Sequence, residues 1–184
     1  MTYTIDVAGM KRDLTLYPIS DDTCIAGFVI FGDVELTEHA ARELLKRTPE
    51  FDLIVAPEAK AIPLAYEMSK QSGKEYIIAR KKAKAYMSGV LSVTLQSITT
   101  QGEQTLIVAS EDAEKIKGKR ILVLDDVIST GESLRATEAL VEKAGGIIVS
   151  KMAVVAEGDA IKREDITVLG YLPLFDKNGQ PKTE

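Results

Sequence analysis

Three short runs in this chain are apolar throughout: Leu53-Ile54-Val55-Ala56, Tyr76-Ile77-Ile78-Ala79 and Ile121-Leu122-Val123-Leu124. A strand with water on one face alternates polar and apolar residues. A strand without polar positions is covered on both faces. Around these runs lie segments with helical spacing. Ile62 to Ser72 ends at Gly73, and Leu134 to Ala144 stops at Gly145-Gly146. Thr37 stands where it would cap a helix running to Lys46, with Ala40, Ala41, Leu44 and Leu45 on its apolar face. Strands alternating with helices imply the α/β class: a parallel sheet flanked by helices. Ligands of such sheets bind beyond the carboxyl ends of the strands. Chemistry is therefore expected just after Ala56, Ala79 and Leu124.

The rest of the chain predicts smaller elements. Tyr3 to Val7 and Leu14 to Leu16 alternate around a turn at Ala8-Gly9-Met10, which reads as a hairpin. Ile25 to Phe31 has the length of a strand. Val90 to Leu95 and Thr105 to Val108 read as strands joined by a polar stretch. Ile147 to Val155 and Ile166 to Leu169 read as the last two strands, and Asp176 to Glu184 as a frayed polar tail. At 184 residues, with no repeat or low-complexity linker, the chain is expected to form one domain.

After Leu124 comes Asp125-Asp126-Val127-Ile128-Ser129-Thr130-Gly131-Glu132-Ser133, and then a helix. Backbone N–H groups at a helix start attract anions, and the helix dipole adds to this. Ser129, Thr130 and Ser133 supply hydroxyl donors, and Gly131 lets the backbone close on a phosphate. The two carboxylates would repel a bare phosphate. They suit sugar hydroxyls or a magnesium ion. A capped helix preceded by two solvated aspartates explains the same residues equally well. After Ala56 comes Pro57-Glu58-Ala59-Lys60-Ala61-Ile62-Pro63-Leu64, which reads either as a turn into a helix or as a ligand loop. After Ala79 comes Arg80-Lys81-Lys82-Ala83-Lys84, the most basic stretch of the chain. Arginine offers a planar fork to phosphate oxygens and lysine a mobile point charge.

Composition removes several functions. The formal net charge of −5 argues against a general grip on nucleic acid or anionic lipid. One cysteine, Cys24, allows no internal disulfide and no cysteine metal cluster. That suits a reducing cytoplasm. The single histidine, His39, lies in a helical pattern and is expected to face solvent, which removes Ser-His-Asp chemistry. Asp6, Lys11, Arg12 and Asp13 interrupt any signal peptide. The uncharged run from Ala85 to Gly102 is too polar to cross a membrane, and that from Thr23 to Gly32 too short. A receiver-like phosphoacceptor domain is disfavoured because its acid pair is expected early in the chain.

Ile121 to Leu134, ILVLDDVISTGESL, closely resembles the phosphoribosyl-pyrophosphate (PRPP) signature of type I phosphoribosyltransferases. The resemblance extends over about residues 37–157. It implies that Asp125 and Asp126 position the ribose hydroxyls and that Ile128, Ser129, Thr130, Gly131, Glu132 and Ser133 form the 5′-phosphate loop. Glu132 stands where glycine is common, and its side chain is expected to point outward. Ala59 to Leu64 is similar to the orotate enzymes' pyrophosphate loop, with Lys60 at the basic position. The Arg-Lys-x-x-Lys spacing is similar to adenine phosphoribosyltransferases. It implies pyrophosphate contacts from Ala59, Lys60, Arg80, Lys81 and Lys84, with Lys84 counted among the catalytic residues. Residues 87–104 correspond to a flexible catalytic loop. Adenine enzymes usually carry Glu-Tyr-Gly there, where this chain has Thr100-Gln101-Gly102. Ser97 to Gln101 is closer to xanthine enzymes.

The resemblance also implies a core of about residues 35–155 and a small hood from residues 1–34 and 156–184. In the hood, Ile25, Phe28 and Val29, with Tyr171 to Phe175, are candidates to stack on the base or simply to pack in the core. The implied reaction passes the 5-phosphoribosyl group of Mg-PRPP to a purine, adenine first, releasing pyrophosphate. Mg2+ is the cofactor, arriving with PRPP, and the expected state is a cytoplasmic homodimer. Xanthine, guanine or orotate as the base, and a PRPP-binding regulator without turnover, are the alternatives.

Overall fold

The computed structural model describes residues 1–96 and 103–182. The chain opens with strands β1 (Thr2–Val7), β2 (Met10–Pro18) and β3 (Cys24–Ala26), which form an antiparallel sheet. Helix α1 (Val34–Leu45), strand β4 (Leu53–Pro57), helix α2 (Ile62–Ser72) and strand β5 (Glu75–Ala79) follow. Strands β6 (Val90–Gln96) and β7 (Glu103–Ala109) pair as an antiparallel ribbon. Then come helix α3 (Ser110–Ile116), strand β8 (Arg120–Ile128), helix α4 (Glu132–Lys143), strand β9 (Ile147–Glu157), a 3-10 turn at Gly158–Lys162 and strand β10 (Thr167–Leu172).

The central sheet has five parallel strands in the order β10-β9-β8-β4-β5. Its apolar strands split residue by residue between two cores, as the two-residue period of a strand requires. Ile54, Ala56, Leu122 and Leu124 join α1, α2 and the N-terminal sheet, as in Leu36, Leu64 and Ile5. Leu53, Val55, Ile121 and Val123 join α3, α4 and the ribbon, as in Ile116, Leu140 and Leu106. The runs that carry no polar residue are thus covered on both faces.

Helix ends follow local chemistry, with one correction. The cap of α1 is Asp33, not Thr37: an Asp33 carboxylate oxygen accepts the Leu36 N–H at 3.0 Å. Thr37 lies inside the helix, and its hydroxyl donates to the Asp33 carbonyl at 2.7 Å. Asp33 also pairs with Arg12 of β2 at 2.6 Å, fastening the N-terminal sheet to α1. Helix α2 begins with Pro63 in its first turn and ends at Gly73, whose φ of 69° closes the helix in the left-handed region.

Four other expectations change. The apolar run from Ile25 to Phe31 is a strand only to Ala26, because Gly27 and Phe28 turn back to bond the carbonyls of Thr15 and Ala26. The acid pair lies within β8 rather than after it. β9 continues alongside β8 as far as the pair Ile128–Ala156, so the ladder holds Asp125 and Asp126 in strand geometry. Asp176 to Lys182 is no frayed tail: Asp176 accepts the Asn178 and Gln180 N–H groups, and Phe175 pairs with both Cys24 and Pro181. His39 is half-buried. Its Nε2–H donates towards the Val7 and Ala8 carbonyls at 3.2 and 3.0 Å, so it pins the β1–β2 turn to α1.

Candidate active site

Strand order fixes the place of the site. From β4 the chain moves outward to β5; from β8 it moves the other way, to β9 and β10. The direction reverses between β4 and β8, and ligands of open α/β sheets bind at such a reversal. The β4–β8 pairing reaches only Val55–Val123, although both strands continue. Beyond it a crevice opens. It contains a cavity of about 590 Å³, bordered by the end of β4, the acid pair of β8 and the segment Ile25–Val29.

Asp125 and Asp126 are both buried in the wall of this cavity. Burial pushes the Asp125 carboxyl up to about 7, and the neighbouring charge of Asp126 acts the same way. The Asp126 N–H, donating to Asp125 Oδ1 at 2.9 Å, partly offsets this. Asp126 Oδ2 is fully buried without a hydrogen bond, and Lys60 Nζ stands 3.9 Å from it. A buried carboxylate oxygen left without a donor is costly, and the Lys60 ammonium offsets part of that cost. Among the described residues no group of three His, Cys, Asp or Glu side chains converges as a metal cage. A cation here would need oxygen atoms from a ligand as well.

A second cavity of about 230 Å³ adjoins the first at Ser129 and Ser133 and is bordered by the loop from Ile128 to Ser133, with Gln104 of β7 opposite. Gly131 caps α4 at a φ of 76° and offers no side-chain acceptor to the first turn. The nearest hydroxyl, Thr130 Oγ1, lies 3.5 Å from the Glu132 N–H. The helix start therefore faces the cavity with N–H donors largely unspent. Ile128 is buried, while Ser129 and Thr130 are exposed. Glu132, expected to turn outward, is half-buried and borders the smaller cavity, because it occupies the first turn of α4.

The other two strand ends contribute unequally. Ala59, Lys60 and Lys81 border the large cavity. The peptide between Glu58 and Ala59 is cis. Arg80 and Lys84 do not border the cavity. Arg80 is engaged by β7, exchanging backbone hydrogen bonds with Ile107 at 2.8 and 2.7 Å, while its side chain lies 3.8 Å from Glu58. Lys84 lies farther along, exposed, in the turn that leads to Met87. Ile25, Phe28 and Val29 all border the cavity, as does Leu172. Phe175 does not: it is fully buried, edge-on to Tyr3 with ring centroids 4.9 Å apart. Ser97 to Gly102, the heart of the expected flexible loop, lies outside the described residues.

Two charged cavity residues escape the sequence reading. Glu58 accepts the Lys81 N–H at 2.7 Å and thereby aims the basic segment. Glu157 stands at the carboxyl end of β9, half-buried, with its carboxyl pushed up by burial and held down by Lys60. The strand-end rule would have found it had it been applied after β9.

Comparison with known proteins fits this geometry. A family model described as the phosphoribosyl transferase domain matches residues 34–181. A hypoxanthine/guanine phosphoribosyltransferase of Methanococcus voltae is 31% identical over 156 residues, covering 85% of this chain and 76% of that protein. An adenine phosphoribosyltransferase of Thermotoga maritima is 38% identical over 158 residues, covering 80% and 84%. Among solved structures, the adenine phosphoribosyltransferase of Saccharomyces cerevisiae superposes with a TM-score of 0.67 at 20% identity, covering 85% of this chain and 93% of that one. That of Thermoanaerobacter pseudethanolicus gives 0.65 at 24%, covering 76% and 83%. The parallel sheet with its flanking helices, the signature at the strand reversal and these matches together show that the chain belongs to the phosphoribosyltransferase family.

Proposed function

We propose that this enzyme transfers the 5-phosphoribosyl group of Mg-PRPP to a purine base, giving a nucleoside 5′-monophosphate and pyrophosphate. One observation carries the reading: a single cavity joins an acid pair, two lysines and an apolar wall, next to an uncapped helix start. These are the parts that a sugar, a pyrophosphate, a base and a terminal phosphate respectively require. Named relatives that act on purines support the class of base. Adenine is the first candidate, from the Arg80-Lys81-x-x-Lys84 spacing, with hypoxanthine and guanine next.

The 5′-phosphate is held by the α4 amides and the hydroxyls of Ser129, Thr130 and Ser133, where the helix dipole favours negative charge. Asp125 and Asp126 accept hydrogen bonds from the ribose hydroxyls and fix the ring against the base. Lys60 and Lys81 face the pyrophosphate and stabilise the charge that grows on it as the glycosidic carbon–oxygen bond breaks. Arg80 and Lys84 stand outside the cavity, so Lys60 and Lys81 carry the larger share. Ile25, Phe28 and Val29 cover the base and keep water from the cationic ribosyl centre. Asp125 and Asp126 would hold a magnesium ion jointly with PRPP, and the ion would supply charge neutralisation of the leaving group. The expected assembly is a homodimer, tested by sedimentation equilibrium.

Calorimetry with Mg-PRPP, paired with a turnover assay on adenine, hypoxanthine and guanine, tests the reading. Binding together with nucleotide formation supports it. Binding without turnover would instead identify a regulator that keeps the PRPP site.

A further inference from the structure

Glu157 is a carboxylate of the large cavity to which the reaction above gives no work. It shares the wall with Ile25, Phe28 and Leu172, and its strand, β9, lies next to the strand of the acid pair. Leu172 is its register partner on β10. Its position is therefore where the apolar cover meets the sugar end. The cavity's other glutamate, Glu58, is occupied by the Lys81 N–H. Among the described residues the Glu157 carboxylate has no hydrogen bond, and only Lys60 acts on it, through space. Burial raises its pKa. With no protein donor on it, the carboxylate is free to accept a hydrogen bond from what fills the cavity.

We propose that Glu157 selects the base, accepting an N–H from the amino group of a 6-aminopurine and disfavouring 6-oxopurines. The inference rests on the phosphoribosyl-transfer reading and deepens it by naming how the base is told apart. An ionised carboxylate only accepts hydrogen bonds. An exocyclic amino group presents N–H donors to it. A 6-oxo group presents a second acceptor, leaving two facing oxygens with no proton between them. Sites that hydrogen-bond a substrate N–H reject analogues without it strongly, because the buried partner is left unpaired. A glutamine amide of the same shape both donates and accepts, so it would tolerate either base.

The test measures kcat/KM for adenine and for hypoxanthine with Mg-PRPP, in the full-length protein and in Glu157→Gln. The wild type should prefer adenine, and the adenine-to-hypoxanthine ratio should fall at least about tenfold in the variant. A smaller fall, or a wild type that favours hypoxanthine, overturns the assignment. Should Glu157→Gln fail to fold, Glu157→Met reads the same ratio, which should again fall at least about tenfold. A wild type that forms no nucleotide with any purine contradicts the transfer reaction itself. Turnover with an unchanged ratio contradicts the role of Glu157 alone.

Discussion

Asp125 shows how one residue can be unfavourable to the fold and useful to the site. Burial and the charge of Asp126 raise its pKa to about 7. A carboxyl raised above its unfolded value of 3.8 contributes stability at low pH, where both states are protonated on going below that value. That contribution disappears as pH rises through about 7. Asp125→Asn cannot ionise, so its melting temperature should gain on the wild type between pH 5 and pH 8, as differential scanning fluorimetry would record. The same variant, and Asp126→Asn, should lower kcat/KM for PRPP at least about tenfold, a transition-state loss of about 1.4 kcal/mol. Gly131 is constrained twice. Its φ is 76°, and a Cβ there would lie 2.7 Å from the Arg163 guanidinium, itself held by Asp165 at 2.7 Å. Gly131→Ala should therefore deform the phosphate loop and raise the KM for PRPP, in steady-state kinetics, more than it raises that for the base.

Whole elements are set by simpler rules, and those were largely legible. Leu53–Ala56, Tyr76–Ala79 and Ile121–Leu124 lie in strands because only a doubly covered strand tolerates such runs. Gly73 marked the end of α2 because few other residues adopt its left-handed conformation. The departures have several causes. Asp33 caps α1 through a local bond from the Leu36 N–H, a choice between two capping residues that Arg12 reinforces only in the folded chain. β8 ran past Leu124 because β9 paired with it, a register that no local pattern encodes. α3 leaves no periodic signal because its seven residues, SEDAEKI, are too few to show a helical period. In the site, Lys60 after β4, Lys81 after β5 and the acid pair within β8 border one cavity, because the parallel strands bring their carboxyl ends to the same side. Lys84 did not, because its segment turns away towards Met87. The kinetics should divide accordingly: Lys60→Ala and Lys81→Ala should each raise the KM for PRPP more than Lys84→Ala does. Asp33→Ala should cost about 1–2 kcal/mol through its cap, read as a lower melting temperature. Steady-state kinetics should find its KM for PRPP near the wild-type value, since Asp33 borders neither cavity.

At the scale of the molecule, the chain is acidic overall, with a net charge of −5, yet Lys60 and Lys81 border its main cavity. The cavity therefore sets two lysines beside four carboxylates, Glu58, Asp125, Asp126 and Glu157, so its cations are local and not a reversal of the overall sign. Among the described residues no helix is long and apolar enough to cross a membrane. The N-terminal sheet and the returning C-terminal segment meet at the Cys24–Phe175 pairing, so both ends of the chain close over the same edge of the sheet. That closure brings Ile25 and Phe28 to the acid pair although about a hundred residues separate them in sequence. The central claim is that this cavity holds PRPP and a purine together and exchanges pyrophosphate for the base. The most direct measurement incubates the purified protein with Mg-PRPP and each purine, quantifying nucleotide and pyrophosphate by chromatography. The account predicts equal amounts of nucleoside 5′-monophosphate and pyrophosphate with at least one purine, formed at least about tenfold more slowly by Asp125→Asn at low PRPP. No nucleotide with any purine, at high enzyme concentration, would contradict it.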